Sequence, residues 1–255
     1  MLFLDEGPKT APPIVCLHGI AGSRDWFAAV AERLTGEFRV IRVDLDDRVA
    51  DLRAAARTAP VADLLDELGV TGATVVGHSF GAEVALELAV RSDRVARVVV
   101  VGQAPDYRQA RIPSIAKWVV RPASVRLVQW LVPGPVVRLV MRSAFAPGFR
   151  YESAPGLADS VVRDFRATVP AALAYTAGAR RDDLAADPLD ARVAALDLPV
   201  LVVHGRRDHL YDHATVLSRY AAAGARTHLV EHAGHTPQVE QPDEFATVLR
   251  EFVTG

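Results

Sequence analysis

A serine, an aspartate and a histidine, far apart along the chain, have the types and surroundings that could build a nucleophile. Ser79 sits in Gly77-His78-Ser79-Phe80-Gly81, a G-x-S-x-G run preceded by an apolar β-branched segment and followed by a helical pattern, 82–91. At a strand-to-helix turn this motif forces the serine into a strained conformation and exposes its hydroxyl at the carboxyl edge of a sheet. Gly77 and Gly81 are demanded by the turn, because a Cβ on either would clash where the chain doubles back. A serine hydroxyl needs a base to take its proton, and that base needs an acid to orient it. Asp208 lies just past one apolar run, in Gly205-Arg206-Arg207-Asp208, and His235 lies past the next, in Glu231-His232-Ala233-Gly234-His235-Thr236-Pro237. Ligand-binding groups of open α/β sheets gather at the carboxyl ends of the strands, so the three can converge there, in the chain order Ser, Asp, His.

Competing assignments exist for two of the three. Asp208 could instead cap a helix, in which case Asp106, past the preceding strand, supplies the acid. His232 competes with His235, but the helix that follows and the neighbouring Gly234 favour His235. His18 and His78 lie inside motifs, where they order a loop, line a substrate pocket or serve the structure. His204, His209, His213 and His228 read as local hydrogen-bonding groups. None has the acid-flanked i, i+4 spacing of a metal site, so no metal is expected.

The elements that must position these residues follow from periodicity. Short β-branched runs at 14–17, 39–43, 73–76, 97–101, 200–204 and 226–230 are nearly continuous apolar strings, as parallel strands covered on both faces require. Helical faces alternate with them at 25–34, 61–68 and 243–253, with Gly69 closing the second and Pro242-Asp243 opening the third. That alternation predicts an α/β fold with a doubly wound, mostly parallel sheet. It breaks between Pro105 and Leu196, where a helical pattern is punctuated by Pro113, Pro122, Pro133, Pro135, Pro147, Pro155 and Pro170. The expected organisation is a core of residues 1–104 and 196–255 with a helical cap inserted at 105–195.

Composition sets outer bounds. With 255 residues, half of them hydrophobic, the chain can bury the core of one domain with an insertion. A formal charge of −2 does not call for nucleic acid. Cys16 is the only cysteine, so no internal disulfide forms. The first residues, Met1 to Glu6, lack the pattern of a secretion signal, and no apolar stretch is long enough to span a membrane. A cytoplasmic protein is the expectation.

The motifs together resemble those of the α/β-hydrolase fold, in its capped esterase, peroxidase and C–C hydrolase type. The matching features are His18-Gly19-Ile20-Ala21-Gly22-Ser23 after an early strand, the elbow at Ser79, the G-x-x-D ending at Asp208, and Gly234-His235 before Pro237. The resemblance implies Ser79 as nucleophile, His235 as general base and then acid, Asp208 as its orienting group, and the backbone N–H groups of Ile20 and Phe80 as the oxyanion hole. It also implies no cofactor and a small, apolar acyl substrate. His18, His78, Trp118 and Trp130 are the candidate pocket residues. One departure stands out: where relatives carry a Gly-rich turn, this chain has Leu45-Asp46-Asp47-Arg48-Val49-Ala50-Asp51, so the charge and shape of the substrate mouth differ.

The inserted segment has a charge bias of its own. From Tyr107 to Tyr151 there is no Asp or Glu, while Arg108, Arg111, Lys117, Arg121, Arg126, Arg138, Arg142 and Arg150 are basic, with Trp118, Val119, Val120, Leu127, Trp130, Leu131 and Val132 between them. A lid with a solvated basic exterior accounts for this. So does a surface that docks an anionic partner.

Overall fold

The computed structural model describes residues 1–46, 48–108, 110, 121–154 and 156–255. Trp118 lies outside the described residues, as do Asp47, Arg111, Pro113, Lys117, Val119, Val120 and Pro155 of the features noted above.

Seven strands form one sheet: β1 (Phe3–Glu6), β2 (Pro13–Leu17), β3 (Arg39–Val43), β4 (Ala73–His78), β5 (Val95–Val101), β6 (Val200–Gly205) and β7 (Arg226–Val230). Their spatial order is β1-β3-β2-β4-β5-β6-β7. All neighbours are parallel except β1, which runs antiparallel to β3. The six strands expected from apolar runs are all present. β1 has no such run: it is a half-exposed edge strand of four residues, held by pairing and not by burial.

The strands are apolar on both faces because helices cover both. Val15, Leu17, Val75, Val98 and Val100 enter one core cluster, while Ile14, Cys16, Val76, Val99 and Val101 enter the other. β-Branched residues suit this pleated, two-sided burial. The helix expected from residue 61 starts earlier, at Ala55, and runs through Pro60. That proline is tolerated because it sits on the exposed side of the helix, where only one backbone hydrogen bond is lost. Gly69 closes the helix with φ +61°. Its N–H donates to the Asp66 carbonyl and that of Val70 to Leu65, the paired bonds of a Schellman end.

Between β5 and β6 the described residues form helices and no strand, including Pro122–Leu131, Gly134–Met141, Leu157–Ala167, Pro170–Ala177 and Ala179–Ala186. Among the described residues, no helix is long and apolar enough to cross a membrane.

Candidate active site

The elbow has the geometry its sequence demands. β4 ends at His78 and the helix Phe80–Arg91 begins at once. Ser79 between them has φ +52° and ψ −117°, a region that costs a non-glycine residue about 1–3 kcal/mol. From Ala73 to Leu86, Ser79 is the single residue that is not fully buried, so the strain holds a hydroxyl out of the core. A Cβ on Gly77 would stand 2.2 Å from the Gly81 carbonyl oxygen, and one on Gly81 would stand 2.2 Å from that of Leu17. Neither neighbour is a side chain that could move aside.

The second strained residue among the described non-glycines is Ala21, at φ +61°, in the loop after β2. That loop runs against the elbow: a Cβ on Gly19 would lie 3.0 Å from the Ser79 Cβ. His18 anchors it. Its Nδ1 donates to the Gly19 carbonyl at 2.7 Å, and its Nε2 accepts from the Leu45 N–H at 2.9 Å. Both ring nitrogens therefore serve backbone groups, tying the loop to the turn after β3. Ile20 lies part-buried within this loop and packs on the core.

Asp208 and His235 meet as expected. His235 Nδ1 donates to Asp208 Oδ2 at 3.0 Å, and Asp208 Oδ1 accepts the Leu210 N–H at 2.7 Å. Burial alone would raise the Asp208 pKa. The His235 and His204 imidazoles outweigh it and hold the carboxyl well below the usual range. Asp106 is engaged elsewhere, between Arg108 and Arg219. His232 is exposed beside Arg207, and His213 and His228 bond to Arg206 and Glu244.

His204 departs from its expected local role. It ends the β6 apolar run fully buried, with Nε2 3.2 Å from Asp208 Oδ2. The approach is close enough for attraction, but its direction makes no hydrogen bond. Two imidazoles thus flank one carboxylate. His78, next to the serine, is also buried. Its Nε2 donates to the His235 carbonyl at 3.1 Å, its ring stacks on Trp26, and it meets the His235 ring edge-on at 5.1 Å. Burial pushes its pKa down to about 3, so it is a neutral support between Ser79 and His235.

Several supporting residues have no motif to reveal them. Glu240, buried, receives the Gly234 and Ala146 N–H groups on Oε2 and the Thr236 N–H and hydroxyl on Oε1. It therefore fixes the His235 loop from both sides and ties it to the inserted segment. Arg180, from the inserted helices, is 2 % exposed. It bonds Glu83 Oε1 at 2.6 Å, Gln103 Oε1 at 2.9 Å and the Tyr107 hydroxyl at 2.5 Å. Its guanidinium lies 5.5 Å from the centre of the Phe80 ring, and that of Arg57 lies 4.8 Å from it. The residue after the serine is thus flanked by two cations. Asp164, on the helix Leu157–Ala167, accepts from Ser23 and Trp26, joining the insertion to the loop after β2.

Beside that loop is a cavity of about 620 Å³, bounded by His18, Ser23, Asp44, Asp46, Arg163 and Asp164 among others. The turn after Asp44 forms part of its wall; Ser79 does not line it. Trp130 is not brought to the site: it is 80 % exposed.

The model of the alpha/beta hydrolase family matches residues 14–248, nearly the whole chain. This chain belongs to the alpha/beta hydrolase family. A 2-hydroxymuconate semialdehyde hydrolase of Pseudomonas sp. (strain CF600) is 29 % identical, over 94 % of this chain and 86 % of its own. A Bacillus subtilis (strain 168) protein, provisionally named 2-succinyl-6-hydroxy-2,4-cyclohexadiene-1-carboxylate synthase, is 26 % identical over 98 % of this chain and 93 % of its own. Among solved structures, the enol-lactonase from Burkholderia xenovorans LB400 superposes with a TM-score of 0.78 at 22 % identity, covering 100 % of this chain and 96 % of that one. That likeness is one of fold. This family member is an enzyme whose sheet, elbow and connected helices follow the α/β-hydrolase plan.

Proposed function

We propose that the chain is a serine hydrolase that cleaves a small to medium apolar carboxylic ester, lactone or thioester through an acyl-enzyme. The observation that carries this reading is the His235–Asp208 pair at 3.0 Å, with the His235 ring edge-on to that of His78, the residue before a serine strained to φ +52°. Because Nδ1 of His235 is engaged by the carboxylate, Nε2 is the nitrogen left to act as base.

In this reading Ser79 Oγ attacks the carbonyl carbon and passes its proton to His235 Nε2. Asp208 holds the imidazole in the correct tautomer and stabilises the imidazolium without taking the proton. The N–H groups of Ile20 and Phe80 receive the oxyanion, and each such donor is worth about 3–4 kcal/mol in the transition state. Collapse expels the leaving group, which takes the proton from His235. Water, activated by the same imidazole, then attacks the acyl-enzyme and frees the acid and Ser79. Residues 105–195 form the cap over the core of 1–104 and 196–255, and the cavity beside Asp44 serves as the mouth.

A second reading keeps the triad but cleaves a carbon–carbon bond, which the 29 % identical semialdehyde hydrolase favours. A fluorophosphonate probe, followed by a short p-nitrophenyl ester and a vinylogous diketone, separates the readings. Prompt labelling at Ser79 with ester turnover supports the first, and labelling with diketone turnover alone supports the second. No labelling, together with tight ligand binding, overturns both in favour of a non-hydrolytic binding or cyclising role.

A further inference from the structure

Among the described residues, the outer face of the helices between β5 and β6 carries apolar side chains that remain exposed. On the helix Pro122–Leu131, Val125 and Gln129 point inward. With 100° per residue, the opposite arc holds Leu127, Trp130 and Leu131, and exposed Arg126 and Val128 flank it on either side. On Gly134–Met141, Val137 points inward, and the opposite arc holds Val136, Arg138 and Leu139. Trp130 is 80 % exposed, Leu139 65 % and Leu127 55 %. Only Val132 and Pro133 separate the two helices, and both pack on the helix Leu157–Ala167, so both arcs face away from it. Soluble proteins seldom leave such a run of large apolar side chains in water without a partner.

The charge on this face selects the partner. Residues 107–151 contain no carboxylate. Among the described residues, Arg142 reaches Glu152 just beyond that stretch, while Arg126 and Arg138 enter no ion pair. A second copy of the chain docked face to face would bring like charges together around an apolar centre. An acidic protein would match the arginines but give the leucines and the tryptophan less. A lipid interface takes both at once: acyl chains receive Trp130 and the leucines, and anionic headgroups receive the guanidinium groups.

We propose that this face docks peripherally on an anionic lipid surface. The helix beneath it carries Asp164, which bonds Ser23 and Trp26 in the loop beside Ser79, so docking would bring the site close to the membrane. Binding itself does not depend on the catalytic reading.

The test is co-sedimentation of the full chain with phosphatidylcholine–phosphatidylglycerol vesicles, against vesicles of phosphatidylcholine alone, with rising salt. Binding to the mixed vesicles that fades with salt is expected. Trp130→Ser should lower the partition coefficient about ten-fold. Arg126→Gln with Arg138→Gln should lower it about 25-fold, roughly five-fold for each charge. Leu139→Ser, on the other helix, should weaken binding in the same direction. These side chains are exposed, so the variants should keep the far-UV circular dichroism of the parent. Absence of binding at low salt, equal binding to both kinds of vesicle, or unchanged binding by the variants overturns the proposal. Self-association without vesicles that Trp130→Ser abolishes overturns it in favour of a second copy. Retention of an acidic acyl-carrier protein without vesicle binding overturns it in favour of a protein partner.

Discussion

At the carboxyl edge of the sheet, Asp208, Glu240 and Arg180 are buried and bonded on several sides. On the helices Pro122–Leu131 and Gly134–Met141, Leu127, Trp130 and Leu139 face solvent with arginines among them. The first region holds polar atoms in an apolar setting, where each hydrogen bond is costly to lose. The second holds apolar atoms in a polar setting, where little in the fold depends on any one of them. Positional accuracy belongs to the edge and adaptable contact to the insertion, and substitutions in the two regions should differ accordingly.

The largest expected effect falls on the edge. Ser79→Ala should lower kcat by about 10⁶-fold, the scale seen for nucleophile removal in a serine protease, with thermal stability nearly unchanged, because alanine keeps the Cβ and with it the strained φ. A variant that keeps its ester turnover would remove the nucleophile from the mechanism.

Breaking the buried pair of Arg180 and Glu83, within the edge region, comes next. Arg180→Met leaves Glu83 buried without its cation and should cost about 3–5 kcal/mol, read by denaturant unfolding. Replacing both, Arg180→Met with Glu83→Leu, should recover much of that loss. If the double variant loses as much as the sum of the single ones, the pair is not coupled.

Glu240→Ala orphans four donors around the His235 loop and should cost about 2–4 kcal/mol. It should also lower kcat, since His235 sits between Gly234 and Thr236, both held by that carboxylate. A Glu240→Ala variant as stable and active as the parent would show that the loop keeps its shape without the anchor.

His78 offers a pH test. Its folded-state pKa of about 3 lies below the ordinary 6.5, so the unfolded chain binds a proton that the folded chain refuses. Stability contributed by the neutral ring is whole above pH 6.5 and lost as pH falls, by at most about 1.4 kcal/mol per unit. His78→Asn should flatten the stability slope between pH 6.5 and about 4.5, above the ordinary carboxylate range. An unchanged slope would mean that protonation elsewhere accounts for it.

The smallest effect is expected on the insertion. Leu127→Ser should change stability by less than about 0.5 kcal/mol and leave turnover of a soluble ester unaltered. A loss of several kcal/mol would mean that this face is part of the folded core, and the contrast between the regions would fail.

Six of the seven strands, the elbow and the meeting of Asp208 with His235 were legible in the chain. Each rests on a local pattern: a β-branched run, a turn that only glycine can flank, or a residue just past a strand's carboxyl end. Where the local signal is weak, sequence reading falls short. β1 is too short and exposed to show a pattern, and Pro60 hides the first turns of its helix. Only the tertiary structure decided that His204 would share Asp208, that Glu240 would hold the histidine loop, and that Arg180 would lie against Phe80, 100 positions away in the chain. It also decided that Trp130 would face solvent. Those outcomes depend on which helix face packs against which neighbour, and periodicity along one chain segment does not specify its partner.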